Sequence, residues 1–494
     1  MKKITTLLIS TLAFSITTSA DTIYPSWSHL NQIPVYFSVP EGVKNPVLTA
    51  SDVTDINAAF VADPFLFKDE GSNNWLMFFE VLSNDSSQGE IGLAKSTNGL
   101  DWKYDRIVLD EPFHLSYPYV FKHNNEYYMI PETFEAESIR LYKATNFPYN
   151  WQHISTLATG KDFVDPSIFY HNNRWWMFVT NTSNAVTYLY SSKNLTHGWQ
   201  EHPLSPVISG DASTARLGGR SFTIKDGKII RIAQKDDVFY GEAVRLFEVY
   251  DLTTTTYAER EIKDSPVLFP SGYGWNAKGM HHLDPWWTGD RWLAVADGYG
   301  KTYSIGMYEA KGQLLESSQE TISNKFAQIT HVSGHNDNTD TNLGTVLSNL
   351  IEGPGIGFQS APPYRRISSQ SWSTKSVGYL RNYFQVTPKP IIIDFKLKSL
   401  SDINAISLWQ NKYAQGNSVR SFRLSFSYTG DSSGLGQARY FFTQATPLES
   451  PVTLSFTKTK ANFIRMEIQD NLHIKPVGGD RVGLQEVAFH LTDE

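Results

Sequence analysis

Residues 63–80 read DPFLFKDEGSNNWLMFFE: an aromatic run from Asp63 to Phe67, a polar turn, and a second apolar run from Trp75 to Glu80. Short aromatic and β-branched runs punctuated by Gly, Asn, Asp and Pro read as antiparallel strands, being too short for helices. The chain continues through a turn into GEIGLAKS (89–96) and NGLDW ending at Trp102, which completes a four-stranded unit. The same grammar returns as YPYVF, EYYMIPE and SIRLYKA with Trp151, and again as DPSIF, RWWMFVT and VTYLYSS with Trp199. A fourth copy, GRSFTI, KIIRIAQ and VRLFEVY, ends at Tyr250, and a fifth, HLDPWW, RWLAVAD and YSIGMYE, ends at Glu309.

Taking Pro64, Pro118, Pro166, Arg220 and Leu283 as equivalent, the copies are spaced 54, 48, 54 and 63 residues apart. A four-stranded unit of that length is a propeller blade, and one such sheet cannot bury both faces alone, so five stack around an axis. A pair of β-sandwiches is the alternative, but sandwiches require no repeating four-strand grammar. After Glu309 the grammar stops, and the stretch 311–345, with its Asn- and Asp-rich end, reads as a linker. Strands such as PIIIDFKL, AISLWQN, SFRLSFSYTG and VGLQEVAFH then mark a second all-β domain over 346–494, after a propeller expected over 40–310.

Composition bounds the function. With 43 basic and 50 acidic residues, the 494-residue chain has a net charge of −7, which argues against wrapping a nucleic acid by bulk charge. Residues 1–20 carry Lys2 and Lys3, an apolar stretch and a Thr-Ser-Ala end, the pattern of a signal peptide. The absence of cysteine excludes disulfides, thiolate zinc and a lipoprotein anchor. A secreted or periplasmic monomer, not held in a membrane, is therefore expected.

In a propeller the start of each innermost strand points at the axis, where ligands collect. The five positions there are Asp63, Tyr117, Asp165, Gly219 with Arg220 beside it, and His282; one strand outward stand Glu80, Glu132, Thr180, Gln234 and Asp297. Apolar residues would satisfy the repeat, so this polar set costs stability unless it meets solvent or partners. Taken singly, an Asp before Pro is a turn former. Taken together, the residues describe a carboxylate-lined funnel.

The motifs VADPFLF and FVDPSIF resemble those of five-bladed glycoside hydrolases of families 43, 32 and 117. More closely, DPFLF, FFE, HLSYPYVF, YYMIPET, LYKATNFP and the later GGR and RIAQ resemble the propeller found ahead of the transferase in glucosamine inositolphosphorylceramide transferases, over roughly 55–300. The hydrolase resemblance implies an inverting glycoside hydrolase acting on a polysaccharide or oligosaccharide. In it Asp63 matches the general base and Asp165 the carboxylate that tunes the acid. The chain departs from that pattern at Gly218-Gly219-Arg220, where family 43 enzymes present a Glu. Glu132, Glu80 and His282 are the replacement acids, Glu132 preferred. Glu80, Tyr117, Arg220, His282 and Asp297 are then expected to contact substrate. GMHHLDP resembles the motif with which family 43 propellers hold an axial cation, which makes His282 a calcium ligand; hydrogen bonding of His281 and His282 across the axis is the alternative.

Two further readings stay open. Arg220 with Tyr117, His114 and His282 would suit a polysaccharide lyase, which neutralises a uronate and removes the neighbouring proton. A non-catalytic glycan-binding propeller would use Trp175, Trp176, Trp286 and Trp287 as platforms. IIIDFKLKSLSDINAISLW, FIRMEI and LQEVAF resemble discoidin-like jelly rolls, which are often carbohydrate-binding and often carry calcium. Trp372, Tyr379, Tyr383 or Trp409 would stack there on a sugar, although Trp409 also reads as core.

Overall fold

The computed structural model describes residues 23–314, 322–379, 381–411, 414–436, 438–443, 450–473 and 479–492; the expected leader lies outside them. The five copies form five antiparallel sheets in chain order. Blade one runs through Ala58–Lys68, Trp75–Ser83, Gly89–Ser96 and Lys103–Leu109. Blade two begins with Ser116–His123, blade three with Phe163–His171 and blade four with Phe222–Thr223. Apolar side chains fill the gaps between sheets. One cluster draws mainly on blades one, four and five and another mainly on blades two and three, as a radial stack requires.

Blade five is completed from the other end of the chain. Leu283–Trp287, Trp292–Tyr299 and Tyr303–Leu314 are joined by Gln32–Ser38, which lies antiparallel to the last of them with Ser38 opposite Glu309. The blades therefore take in residues ahead of 40 and beyond 310. QIPVYFS is not legible as a blade strand because it stands ahead of the first repeat. Its Pro34 is acceptable at a sheet edge, the place the strand takes.

The segment before that strand caps one end of the axis. Tyr24 exchanges backbone hydrogen bonds with Lys122, and its ring lies 5.6 Å from those of Phe67 and Trp286. Trp27 is buried edge-on against Phe222 at 5.1 Å and Trp292 at 5.2 Å. Phe67 and Trp286 lie toward the ends of their inner strands, so this segment packs at the end of the axis opposite to that where those strands begin.

Among the described residues the C-terminal domain is one hydrogen-bonded set of seven strands with its own core. Two twenty-residue strands, Ile391–Gln410 and Val452–Asn471, pair along much of their length, with register shifts that let them bend. Ile329–His335, inside the stretch expected as linker, pairs with Ile391–Gln410 and so belongs to this sheet. Trp372, Tyr383 and Trp409 are buried in the domain, whereas Tyr379 is exposed. The domain docks on the propeller. Phe269 stacks on Tyr440 at 4.1 Å, Asp264 accepts a hydrogen bond from the Thr457 N–H at 3.1 Å, and Arg439 lies 3.5 Å from Asp264.

Candidate functional site

Asp63, Tyr117 and Asp165 have φ of 51°, 47° and 53°, although each precedes a proline, which favours an extended backbone. In each blade the pairing register shifts at this point, between Ala62 and Phe65, Ser116 and Tyr119, and Val164 and Ser167. The repeated Asp-Pro or Tyr-Pro is thus a bulge. It turns a residue out of the ladder and holds a left-handed backbone that is costly above all for tyrosine. Blade four turns here differently, through Gly219 at φ 149°, where a Cβ would lie 1.9 Å from the Leu283 carbonyl oxygen.

The structure gathers the two polar rings. Asp63, Glu80, Glu132, Asp165 and Asp297 are all buried. The Asp63 N–H donates to Asp297 Oδ2 at 3.2 Å, and the Asp165 N–H donates to Glu132 Oε2 at 3.2 Å. The Gln234 amide donates to Asp165 Oδ2 at 3.3 Å, which brings the fourth blade into the same network. Thr180 instead turns its hydroxyl to the Ala215 carbonyl at 3.4 Å.

Two cationic side chains face these carboxyls. Arg216 Nε lies 2.6 Å from Asp165 Oδ2 and its Nη2 3.8 Å from Glu132 Oε2. His281 Nδ1 lies 2.6 Å from Asp297 Oδ2 and its Nε2 3.9 Å from Asp63 Oδ1. Burial pushes Asp63 up to about 7, with His281 drawing it down and Asp165 and Asp297 adding to the rise. Burial also raises Glu80 well above the usual carboxylate range, helped by Asp63 and Glu132, and raises Glu132 likewise, helped by Asp165 and opposed by Arg216. Burial acts the same way on Asp297, but the contacts with His281 outweigh it and hold that carboxyl below its usual value. Burial would neutralise His281, yet Asp297 draws it up to about 9. Proton-holding and ionised carboxyls are thereby separated within one cleft, as acid–base chemistry demands.

Register and packing move three residues away from the roles expected of them. Counted from Phe222, which pairs with Ile230 as Phe67 pairs with Leu76, Arg220 takes the place of Phe65, one residue deeper than Pro64. There it is buried, with Nε 2.8 Å from Asp284 Oδ1 and Nη2 3.1 Å from Asp284 Oδ2. Nη1 also reaches the Val120 carbonyl and Nη2 the Leu66 carbonyl, both at 3.1 Å, so it offers no fork to a substrate carboxylate. The Tyr117 hydroxyl is closed on Gly219, donating to the carbonyl at 2.6 Å and accepting from the N–H at 2.9 Å. His282 packs between the rings of Phe65 and Tyr117, at 4.7 and 5.2 Å, and burial lowers it to about 3, which keeps it neutral.

The donor atoms that converge are those of Asp63, His281 and Asp297, all within 4.8 Å of one another, rather than a set centred on His282. They do not fit calcium, which takes six to eight oxygens. Asp297 is already engaged by the N–H groups of His281, His282 and Asp63 at 3.1, 3.0 and 3.2 Å, and the His281 imidazole stands against it as a cation.

Arg216, Asp236 and Tyr240 escape the repeat count. Arg216 lies at the mouth because two glycines follow Leu217 and the backbone bulges before Phe222, and the neighbouring GGR points to the wrong arginine. The Tyr240 ring lies 5.1 Å from the Arg216 guanidinium and 5.2 Å from the His281 ring. His114 also has a defined role. Its Nδ1 accepts the Gly89 N–H at 3.0 Å, so in the neutral ring Nε2 carries the proton and faces Glu80 Oε1 at 3.4 Å. Asp165→Asn should cost about 1–3 kcal/mol in chemical denaturation, because it leaves the Arg216 charge half-paired while the amide still accepts a hydrogen bond. Unchanged stability would mean that the Arg216 pair does not hold the site together.

Residues 37–299 match the family model described as glucosamine inositolphosphorylceramide transferase 1, N-terminal. The chain belongs to this family. It is 35% identical over 268 residues to the glucosamine inositolphosphorylceramide transferase 1 of Oryza sativa subsp. japonica, covering 52% of this chain and 36% of that protein. The Arabidopsis thaliana protein of the same name is 36% identical over 253 residues, covering 49% of this chain and 32% of its own length. The chain thus spans about a third of the curated relatives it matches. Among solved structures, a glycosyl hydrolase from Bacteroides ovatus matches with a TM-score of 0.44 and 12% identity, covering 57% of this chain and 98% of that one. An exo-β-1,3-galactanase from Phanerochaete chrysosporium matches with a TM-score of 0.40 and 11% identity, covering 90% of this chain and 99% of that one.

Proposed function

We propose that the propeller cleaves a glycosidic bond at the mouth of its funnel by acid–base hydrolysis with inversion, on an extracellular polysaccharide or oligosaccharide. Glu132 is the acid and Asp63 the base that activates water. The observation that carries this reading is the buried set of five carboxyls faced by Arg216 and His281, in which burial raises Glu132 well above the usual carboxylate range and Asp63 to about 7. Asp165 supports the acid through its N–H to Glu132 and anchors Arg216. The relatives' name, a transferase of glucosamine, supports a carbohydrate substrate.

The other two readings lose their carriers. A lyase would need Arg220 free for a uronate and Tyr117 free to take a proton, and both are closed on protein partners. Trp175, Trp176 and Trp286 are buried in the core, and Trp287 packs on Trp292 at 5.5 Å, so the platform for a purely binding propeller is absent among these tryptophans. The leader-like residues 1–20 and the discoidin-like second domain fit an exported enzyme whose tethered module raises the local glycan concentration.

Incubation with plant, algal and bacterial polysaccharides, reading new reducing ends and the absorbance of unsaturated uronate ends together, tests the reaction. Reducing ends without absorbance are expected, and Glu132→Gln should lower the rate about 10²- to 10⁴-fold. Absorbance would replace hydrolysis with elimination. Retention on a glycan without new ends would reduce the propeller to a binding domain.

A further inference from the structure

The hairpin between Ile229–Lys235 and Ala243–Leu252 of blade four carries residues 236–242, DDVFYGE, which link the funnel to the C-terminal domain. On its inner side the loop lies against the site. Asp236 Oδ1 accepts the Gly241 N–H at 2.7 Å, the Gly241 carbonyl accepts the Met280 N–H at 2.9 Å, and Tyr240 faces Arg216 and His281. Gly241 is required there, since at φ 70° a Cβ would stand 3.0 Å from His281 Cβ and from the Tyr303 hydroxyl. Val238, Phe239 and Tyr240 are 55%, 41% and 42% exposed, an apolar rim beside a charged funnel and of the kind against which the apolar face of a sugar ring packs.

The stem of the loop is held from outside the propeller. Lys235 Nζ lies 2.7 Å from Glu242 Oε2 and 2.5 Å from Asp237 Oδ1, while Glu242 Oε1 pairs with Arg420 of the C-terminal domain. Arg420 is fixed in turn by Asp470 at 2.6 Å, and the Phe442 ring lies 4.3 Å from Lys235 Nζ. Lys235, Glu242 and Arg420 are all buried, so the pairs are little screened by solvent. The outer flank of the loop borders a cleft of about 640 Å³ between the domains, lined in part by Lys235, Asp237, Val238, Arg420 and Phe442.

We propose that Arg420 is a positioning residue for the propeller site: through Glu242 it holds loop 236–241, and so keeps Tyr240 as the wall of the subsite beside Arg216 and His281. The second domain is on this account part of the site's construction. The sugar-facing role of Tyr240 rests on the reading that the funnel takes a glycan, while the mechanical link does not.

The test uses the full chain and the variants Arg420→Met, Arg420→Lys, Glu242→Gln and, as a control in the same interface, Arg439→Met. Hydrogen–deuterium exchange read by mass spectrometry should rise about tenfold or more over 236–242 in Arg420→Met and Glu242→Gln. Arg420→Lys should restore much of the protection, and Arg439→Met should leave the loop unchanged although it also removes an interdomain contact. If Arg420→Met does not fold, Glu242→Gln, which keeps the side-chain volume, decides by the same reading. Unaltered exchange over 236–242, or an equal rise in Arg439→Met, overturns the proposal. Affinity electrophoresis on arabinan, xylan and β-galactan separates the two claims. Failure of the parent chain to bind any of them, with the exchange result intact, removes the glycan reading and leaves the coupling; a glycan bound equally by parent and Arg420→Met overturns the role of the loop in binding.

Discussion

Arg220→Met is expected to cost about 3–5 kcal/mol of folding stability in chemical denaturation, because it strands a buried carboxylate. The guanidinium reaches from blade four to Asp284 of the next blade, five, and also to the carbonyls of Leu66 in blade one and Val120 in blade two. Its plane lies over the Tyr119 ring at 4.7 Å. One side chain therefore ties four blades, and methionine replaces none of its hydrogen bonds. Arg220→Met combined with Asp284→Leu should recover part of the loss, because removing both charges also removes their desolvation cost. A single variant of normal stability that had lost only glycan binding would restore Arg220 to the substrate and refute its place as an internal tie.

Asp63→Asn should abolish turnover on whichever glycan is cleaved, by about 10²- to 10⁴-fold, while making the protein more stable at alkaline pH. Asparagine tolerates the φ of 51° at this position, so the backbone stays in place. The sign of the stability change follows from the direction of the shift. Asp63 moves from 3.8 to about 7 on folding, so its contribution is complete below 3.8 and is lost as the pH rises through 7. The amide does not titrate. The variant should therefore gain on the parent from about pH 4 to 8, reaching about 4 kcal/mol at the upper end. His281, raised from 6.5 to about 9, gives a second descent, its contribution complete below 6.5 and lost as the pH rises through 9, which both proteins should show. A stability difference independent of pH would mean that Asp63 carries no raised pKa, and full activity would remove it from the reaction.

The repeat was legible because each blade is written locally. Short aromatic and β-branched runs and turn residues define strands without reference to anything distant, and five copies in series leave few folds besides a propeller. The same counting placed Asp63, Asp165, Glu80, Glu132 and Asp297 at matching register positions, and those positions do meet at the axis. Arg216 and Arg220 show where counting ends. They stand four residues apart in one segment, and the Gly218-Gly219 bulge between them sends one to the mouth and buries the other. The adjacent histidines divide in the same way: His281 lies 2.6 Å from Asp297, which raises it to about 9, while His282 comes only within 3.8 Å of Asp63 and is lowered by burial among aromatic rings.

The strands, the blade repeat, the all-β second domain and the faces that carry carboxylates depend on neighbours a few residues away, so the order of amino acids is enough to settle them. Only in the folded chain does Gln32–Ser38 complete blade five, Trp27 pack on Phe222 at one end of the axis, and Arg220 turn inward while Arg216 faces the site. Only there, too, does Arg420 reach back to a propeller loop. Each of these outcomes joins residues far apart in the chain, and each is settled by which buried charge or open sheet edge finds a partner, a balance that no local pattern records.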